Sequence, residues 1–207
     1  MKITYYECAN PECGLRFPHH AELNGRCPKC LGGLHIQEQF FVPDENQKPI
    51  PQVLPLAVIL DNIRSGFNVG AILRTSECFG VKMIGLGGIT PGINDSSVSK
   101  TSLGAENDFE ILGSNRTMDL IHNFKNKGYQ IWALEITPEA ENLFDLVIPS
   151  ARIALVVGNE RCGIDPQILK ASDRIIMIPM SGVKRSLNVE VSLGVALGCF
   201  SQKLNIK

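Results

Sequence analysis

No apolar run in the chain approaches the roughly 20 residues that a membrane-spanning helix needs. The N-terminus, MKITYYEC, lacks the apolar core of a secretory signal. Both absences argue against a membrane or secreted protein and lead us to expect a cytoplasmic one. A dominant charge sign is missing too: 20 Lys and Arg stand against 21 Asp and Glu, for a net charge of -1. Nucleic acid therefore feels no global pull, and any such partner must be held by a local basic patch or by partner subunits. Neither an internal repeat nor a low-complexity tract occurs, and no G-x-G-x-x-G or P-loop is present. What remains is a soluble composition, 44% hydrophobic and 20% charged over 207 residues. That length suits one domain with room for a small second one, and a core that needs no disulfides.

Four of the seven cysteines fall early: Cys8, Cys13, Cys27 and Cys30. The pattern is C-x4-C, thirteen residues, then C-x2-C. Two close pairs separated by a hairpin-length segment can bring four thiolates to one tetrahedral zinc. Gly14, Gly32 and Gly33 beside the pairs let backbone N–H groups turn toward the sulfurs, and Pro11 and Pro28 favour tight turns. Free thiols and a redox C-x2-C are the alternatives. His19, His20 and His35 read as surface residues, because four cysteines already fill a site. A four-thiolate zinc site has no open position, so its role is folding and recognition. A zinc-ribbon-like domain is therefore expected over 1–42. The proline-rich stretch PDENQKPIPQVLP reads as a linker over 43–55, followed by a second domain over 56–207.

From Leu56 onward short apolar strands alternate with helical segments. Strands are expected at 56–60, 82–88, 108–112, 129–135, 152–158 and 173–179. Helices are expected at 69–79, 97–103 and 116–127, with a last one from Val189. This alternation means an α/β fold with a mostly parallel sheet. Ligands of such sheets bind beyond the carboxyl ends of the strands, so the loops after the first, fifth and sixth strands carry the interest.

The first loop region, DNIRSGFNVGAILRTSE (61–77), places Asn68 and Arg74 in an otherwise apolar helix. An arginine there must either pair, with Glu77 for example, or face a site. The second, LVVGNERCGI (155–164), runs from a buried strand into Gly158, Glu160 and Gly163; the plain alternative is a solvated turn. The third, IIMIPMSGVKRSLNVE (175–190), joins a strand to a helix through Lys184, Arg185, Ser186 and Asn188. Its plain alternative is a core helix capped by Ser186 or Asn188.

Taken together, the three stretches resemble the SpoU, or TrmH-like, family of RNA ribose methyltransferases within the SPOUT superfamily. Asn68-x-Gly70 with Arg74 is similar to that family's first motif. Gly158-x-Glu160-x-x-Gly163 is similar to the second. Ile178-Pro179-Met180 with Ser186-Leu187-Asn188-Val189 is similar to the third. The resemblance covers roughly 56–207. It implies a sheet whose C-terminal segment forms a trefoil knot, with S-adenosylmethionine held near Leu155, Val157, Gly158, Ile178, Met180, Ser186 and Leu187. It implies a homodimer and methyl transfer to a ribose 2′-hydroxyl of structured RNA, tRNA or rRNA, with no DNA partner. On this resemblance Arg74 stabilises the developing alkoxide, with Asn68, Ser186 and Asn188 orienting the ribose. Glu160 fixes the second loop or contacts Asn188, while Arg161, Lys184 and Arg185 meet RNA phosphate. Glu190 stands where the family has a small residue and needs a partner. In place of a relative's RNA-binding module the chain has the four-cysteine domain, which is expected to dock RNA. The competing reading is a non-catalytic RNA-binding or ribosome-assembly factor on the same fold.

Overall fold

The computed structural model describes residues 2–21, 23, 25–41, 55–183 and 185–204. The chain divides into two compact units, 1–51 and 52–207. The expected linker, apart from Pro55, lies outside the described residues.

The first unit is a three-stranded antiparallel sheet: β1 (Lys2–Cys8), β2 (Arg16–His19) and β3 (Leu34–Phe41), in the order β2-β1-β3. Along β1, Thr4, Tyr6 and Cys8 are buried while their neighbours are only partly covered, the period-two alternation of a half-buried strand. Tyr6 stacks on Phe17 at 6.0 Å, and its hydroxyl accepts the Leu23 N–H at 2.9 Å.

The second unit opens with β4 (Leu56–Asp61), buried at every residue. Next come α1 (Gly66–Cys78), β5 (Met83–Gly87), α2 (Ser96–Ser102), β6 (Glu110–Ser114), α3 (Thr117–Asn126) and β7 (Tyr129–Leu134). The chain ends with β8 (Glu141–Asn142), β9 (Arg152–Gly158), α4 (Pro166–Ala171), β10 (Arg174–Met177) and α5 (Val189–Lys203). Helix α1 starts earlier than the apolar pattern indicates, because the Ser65 hydroxyl accepts the Asn68 N–H and caps it. Helix α4 has no counterpart among the expected helices, yet its Asp165 cap and Pro166 in the first turn are ordinary start signals. Strand β6 begins later than expected, because residues Ala105–Asp108 form a 3-10 turn.

The seven strands are ordered β6-β5-β4-β9-β7-β10-β8, and every neighbouring pair is parallel. Side-chain alternation divides β4 between two cores. Leu56, Val58 and Leu60 pack with Val69, Ile72 and Leu73 of α1 and with Leu193, Leu197 and Phe200 of α5. Ala57 and Ile59 pack with Leu120, Ile121 and Phe124 of α3 and with Ile168 of α4. Helices thus cover both faces, as a parallel sheet requires. Trp132 of β7, wholly buried, meets Phe200 edge-on at 5.7 Å. Among the described residues no helix is long and apolar enough to cross a membrane.

Helices α1 and α2 approach closely at Gly70. A Cβ there would collide with the Val98 carbonyl and the Thr101 hydroxyl of α2. Gly70→Ala should therefore destabilise the chain by about 1–3 kcal/mol, the usual cost of overpacking, although alanine is the better helix former. Gly92→Ala is the control, since nothing lies within 4 Å of its Cβ position. Urea unfolding of both variants reads the difference; an unchanged Gly70→Ala would show that α1 and α2 separate at little cost.

Candidate functional site

Strands β4, β7, β9 and β10 run parallel, so their carboxyl ends share one edge of the sheet. A cavity of about 420 Å³ opens there. Its walls come from Leu134 to Ile136 after β7, Val157 to Arg161 after β9, Met177 to Met180 after β10, and Ser186 to Val189 at the start of α5. Asn68 of α1 closes one side.

Three amide or carboxylate side chains at this cavity form one relay. The Asn188 Nδ2 donates to Asn68 Oδ1 at 3.1 Å, and the Asn68 Nδ2 donates to Glu160 Oε1 at 2.9 Å. Glu160 also accepts the Arg64 N–H at Oε2, 3.0 Å, and the Ser65 N–H at Oε1, 3.1 Å. Those donors lie just before α1, where a helix leaves its N–H groups free and favours negative charge. Burial opposes ionisation of Glu160, but the Arg64, Asn68 and Ser65 donors outweigh it and hold its pKa below the usual carboxylate range. Asn188 also caps α5, where its Oδ1 accepts the Glu190 N–H at 2.8 Å.

The turn carrying Glu160 is itself pinned. Asn159 and Gly163 exchange two backbone hydrogen bonds, at 3.1 and 2.9 Å. Gly163 has φ +72°, a conformation glycine adopts without strain. The Asn159 amide donates to the Asn62 carbonyl at 2.7 Å, and its Oδ1 accepts the N–H groups of Arg161 and Cys162. Beneath it Asp61, nearly inaccessible, accepts from Asn62 Nδ2, Thr117 Oγ1 and the Asp165 N–H.

Of the residues expected at a cofactor, Val157, Gly158, Ile178, Met180, Ser186 and Leu187 line the cavity. Leu155 does not; it lies two residues deeper in β9, about 6.6 Å down the strand, wholly enclosed in the core. Asn68, Glu160, Ser186 and Asn188 meet at the cavity, and Arg161 lines it. Arg74 and Arg185 are exposed, and neither lines it. Among the described residues Arg74 has no ion pair, so the Glu77 alternative is not formed. Lys184 lies outside the described residues. Glu190 finds its partner in the Thr75 hydroxyl, which donates to it at 2.7 Å. Sequence reasoning passed over Glu135 and Ile136, both in the cavity wall. Their position just past the carboxyl end of a strand was the available signal.

A separate cluster lies in the first unit. The four sulfurs of Cys8, Cys13, Cys27 and Cys30 all lie within 4.8 Å of one another. Cys8 and Cys30 are 3.3 Å apart, and Cys13 and Cys27 3.8 Å. Thiolates on a tetrahedral zinc with bonds near 2.3 Å would sit about 3.8 Å apart, so the donor set fits that ion. The N–H groups of Asn10 and Lys29 point at Cys8 and Cys27, each at 3.4 Å. Burial opposes ionisation at Cys27, but the Cys30 and Lys29 N–H groups and the Cys8 and Cys13 thiols bring its pKa down to about 7. At Cys8 the Asn10 N–H favours the thiolate, while burial and the other three sulfurs prevail and push it up to about 12. Four thiolates this close together would repel one another unless a cation lay among them.

Comparison with known proteins points the same way as the three loops. The family model described as "SpoU rRNA Methylase family" matches residues 55–198. A Borreliella burgdorferi protein named an uncharacterized tRNA/rRNA methyltransferase is 33% identical over 149 residues, 72% of this chain and 64% of that one. The tRNA (guanosine(18)-2′-O)-methyltransferase of Aquifex aeolicus is 30% identical over 167 residues, 77% of each chain. The AdoMet-bound rRNA methyltransferase from Sinorhizobium meliloti superposes with a TM-score of 0.68 at 25% identity, over 74% of this chain and 58% of that one. The chain thus spans just under two thirds of one of these relatives and over three quarters of another. The match takes in all three loops that meet at the cavity, and on that ground this chain belongs to the SpoU rRNA methylase family.

Proposed function

We propose that the chain transfers a methyl group from S-adenosylmethionine to a ribose 2′-hydroxyl of structured RNA, tRNA or rRNA. The observation that carries this reading is the Asn188–Asn68–Glu160 relay at the cavity. A mere binding surface has no need of three side chains from distant loops locked into one orientation beside a cofactor-sized space. The relatives support it: the Aquifex protein is named for 2′-O-methylation of a tRNA guanosine, and the Sinorhizobium structure holds AdoMet.

The cavity suits that cofactor. Its volume of about 420 Å³ lies within the roughly 300–1,000 Å³ of small-molecule sites. Leu134, Ile136, Ile178 and Leu187 give it apolar walls for an adenine ring. When bound, the sulfonium supplies an electrophilic methyl group. The chain's own residues do the rest. Asn68, Ser186 and Asn188 orient the ribose, with both amides fixed through Glu160. Arg74 stabilises the developing 2′-alkoxide and an adjacent phosphate. The exposed Arg185, with Lys184 by sequence, meets the phosphate backbone, while Arg161 lines the cavity itself.

Arg74 shares α1 with Asn68 but stays outside its own cavity. This favours a homodimer in which each copy's Arg74 completes the other's site. Val191 and Leu187, 45% and 43% exposed, are apolar surface available for that contact. The same reading includes the trefoil knot and a cytoplasmic location. Supporting the knot, β10 inserts between β7 and β8, and the segment after it returns to α1 through Asn188. The four-cysteine cluster holds a structural zinc ion through Cys8, Cys13, Cys27 and Cys30, and its unit docks the RNA.

Three outcomes follow. With labelled S-adenosylmethionine and unmodified transcripts, label should enter tRNA or rRNA at a 2′-oxygen. Arg74→Ala should lower kcat/KM at least about a hundredfold while cofactor affinity stays the same. Label absent from every RNA, with the cofactor bound, would leave the assembly-factor reading instead.

Glu160 has a lowered folded pKa, so its stabilising effect is full above the unfolded carboxylate pKa and is lost as pH falls through the folded value. Glu160→Gln should therefore lower the thermal midpoint at pH 7, and the gap from the native chain should narrow on acidification below the ordinary carboxylate range. A gap independent of pH would remove the carboxylate's charge from the explanation.

Elemental analysis of the purified chain should find one zinc per chain, absent from Cys27→Ser. Chelation should unfold the first unit, as it does other small metal-held domains.

A further inference from the structure

Strand β7 lies between β9 and β10, so Glu135, at its carboxyl end, sits between the two loops that form most of the cavity wall. Its backbone N–H continues the pairing with β10 by donating to the Ile176 carbonyl at 3.0 Å. Its carboxylate spans the gap to the other loop. Oε1 accepts the Ile136 N–H at 2.8 Å, and Oε2 accepts the Ile164 N–H at 3.1 Å.

Among the described residues two carboxylates line this cavity, and their hydrogen bonding differs. Glu160 already accepts from Arg64, Ser65 and Asn68. Glu135 accepts from two backbone donors, and an ionised carboxylate has about four acceptor positions. Glu135 is therefore held rigid with capacity left over. A rigid acceptor with spare lone pairs in a ligand cavity calls for a ligand with neighbouring donors.

An adenosyl ligand has two sets of donors, the ribose 2′,3′-diol and the methionyl ammonium. Position separates them. Asn159 and Gly163 are bridged, so residues 160–162 form the tip of a turn and 163–164 its base. Arg161, the one cation lining the cavity among the described residues, is at the tip. Glu135 is bonded to the base, at Ile164. The amino-acid end of the ligand carries a carboxylate, which belongs with Arg161 and away from Glu135. The uncharged diol is left for Glu135, and its paired hydroxyls match the paired oxygens of a carboxylate.

Resting on the S-adenosylmethionine reading of the cavity, we propose that Glu135 binds the cofactor by accepting hydrogen bonds from the ribose 2′- and 3′-hydroxyls. Gly163 belongs to the same arrangement, because a Cβ there would stand against the Glu135 carboxylate.

Calorimetric titration of the full-length protein tests this without any RNA or turnover. The probes are S-adenosylhomocysteine, 5′-methylthioadenosine, which lacks the amino-acid end, and the 2′-deoxy and 3′-deoxy forms of the latter. On the native chain each deoxy form should bind about tenfold more weakly than 5′-methylthioadenosine. Glu135→Ala should weaken S-adenosylhomocysteine and 5′-methylthioadenosine by the same factor, tenfold or more. It should also abolish the difference between 5′-methylthioadenosine and its deoxy forms, which a merely structural defect would leave in place. Deoxy forms that bind the native chain as well as their parent overturn the proposal, whatever the variant does. So does a variant that loses S-adenosylhomocysteine but keeps 5′-methylthioadenosine, since Glu135 would then serve the ammonium. If the native chain binds none of the four, the S-adenosylmethionine reading fails and this assignment fails with it; binding without hydroxyl dependence sinks the Glu135 assignment alone.

Discussion

The Glu160 carboxylate sets the direction of the hydrogen bonds that join α1, its own turn and the start of α5. A carboxylate can only accept, so the Asn68 amide must turn its Nδ2 toward it. That leaves the Asn68 Oδ1 facing Asn188, which must answer with its own Nδ2. Asn188 then has its oxygen directed at the Glu190 N–H, where α5 begins. One charge thus orders two amides and the start of a helix. The order is not reversible, because turning either amide would set oxygen against oxygen. The relay also joins loops 92 and 120 residues apart in sequence. Losing Glu160 would therefore loosen the arrangement of three loops at once.

The sheet makes this possible by bringing distant loops to one edge. Because all neighbouring strands are parallel, the ends of β4, β7, β9 and β10 point the same way. Their alternating side chains divide into two cores, so helices on both faces hold the edge rigid. Asp61 extends that rigidity upward. Its carboxylate, buried beneath the Glu160 turn, ties the end of β4 to the starts of α3 and α4.

Much of the second unit was legible because parallel strands buried on both faces read as unbroken apolar runs, as in LAVIL and RIALVVG. The limits are equally physical. Strand β8 has two residues, too few to show any pattern. Helix α4 is short, and only the Asp165-Pro166 pair announces it. Leu155 shares its strand with Val157, and nothing local distinguishes a residue at the rim from one a step deeper in the core. Glu135 was invisible for another reason: its two partners are backbone N–H groups, and the one at Ile164 lies 29 residues away. Arg74 was half legible. The cost of an arginine in an apolar helix said that it must pair or face a site, and the structure removes the pairing with Glu77.

The near-zero net charge limits how RNA could be held on the proposed reading. No global field draws a polyanion to this chain, so attraction must be local. The relay contributes to that attraction indirectly. Glu160, though exposed, has its charge engaged by the N–H groups at the start of α1 and by the Asn68 amide, and so presents less negative potential to the rim. Arg64, Arg74 and Arg185 are all exposed on the segments around it. On the proposed reading, an unpaired Glu160 would repel the same phosphates that those arginines would attract. The hydrogen bonds that lower its pKa are therefore the ones that would make a carboxylate compatible with the phosphate contacts proposed for that rim.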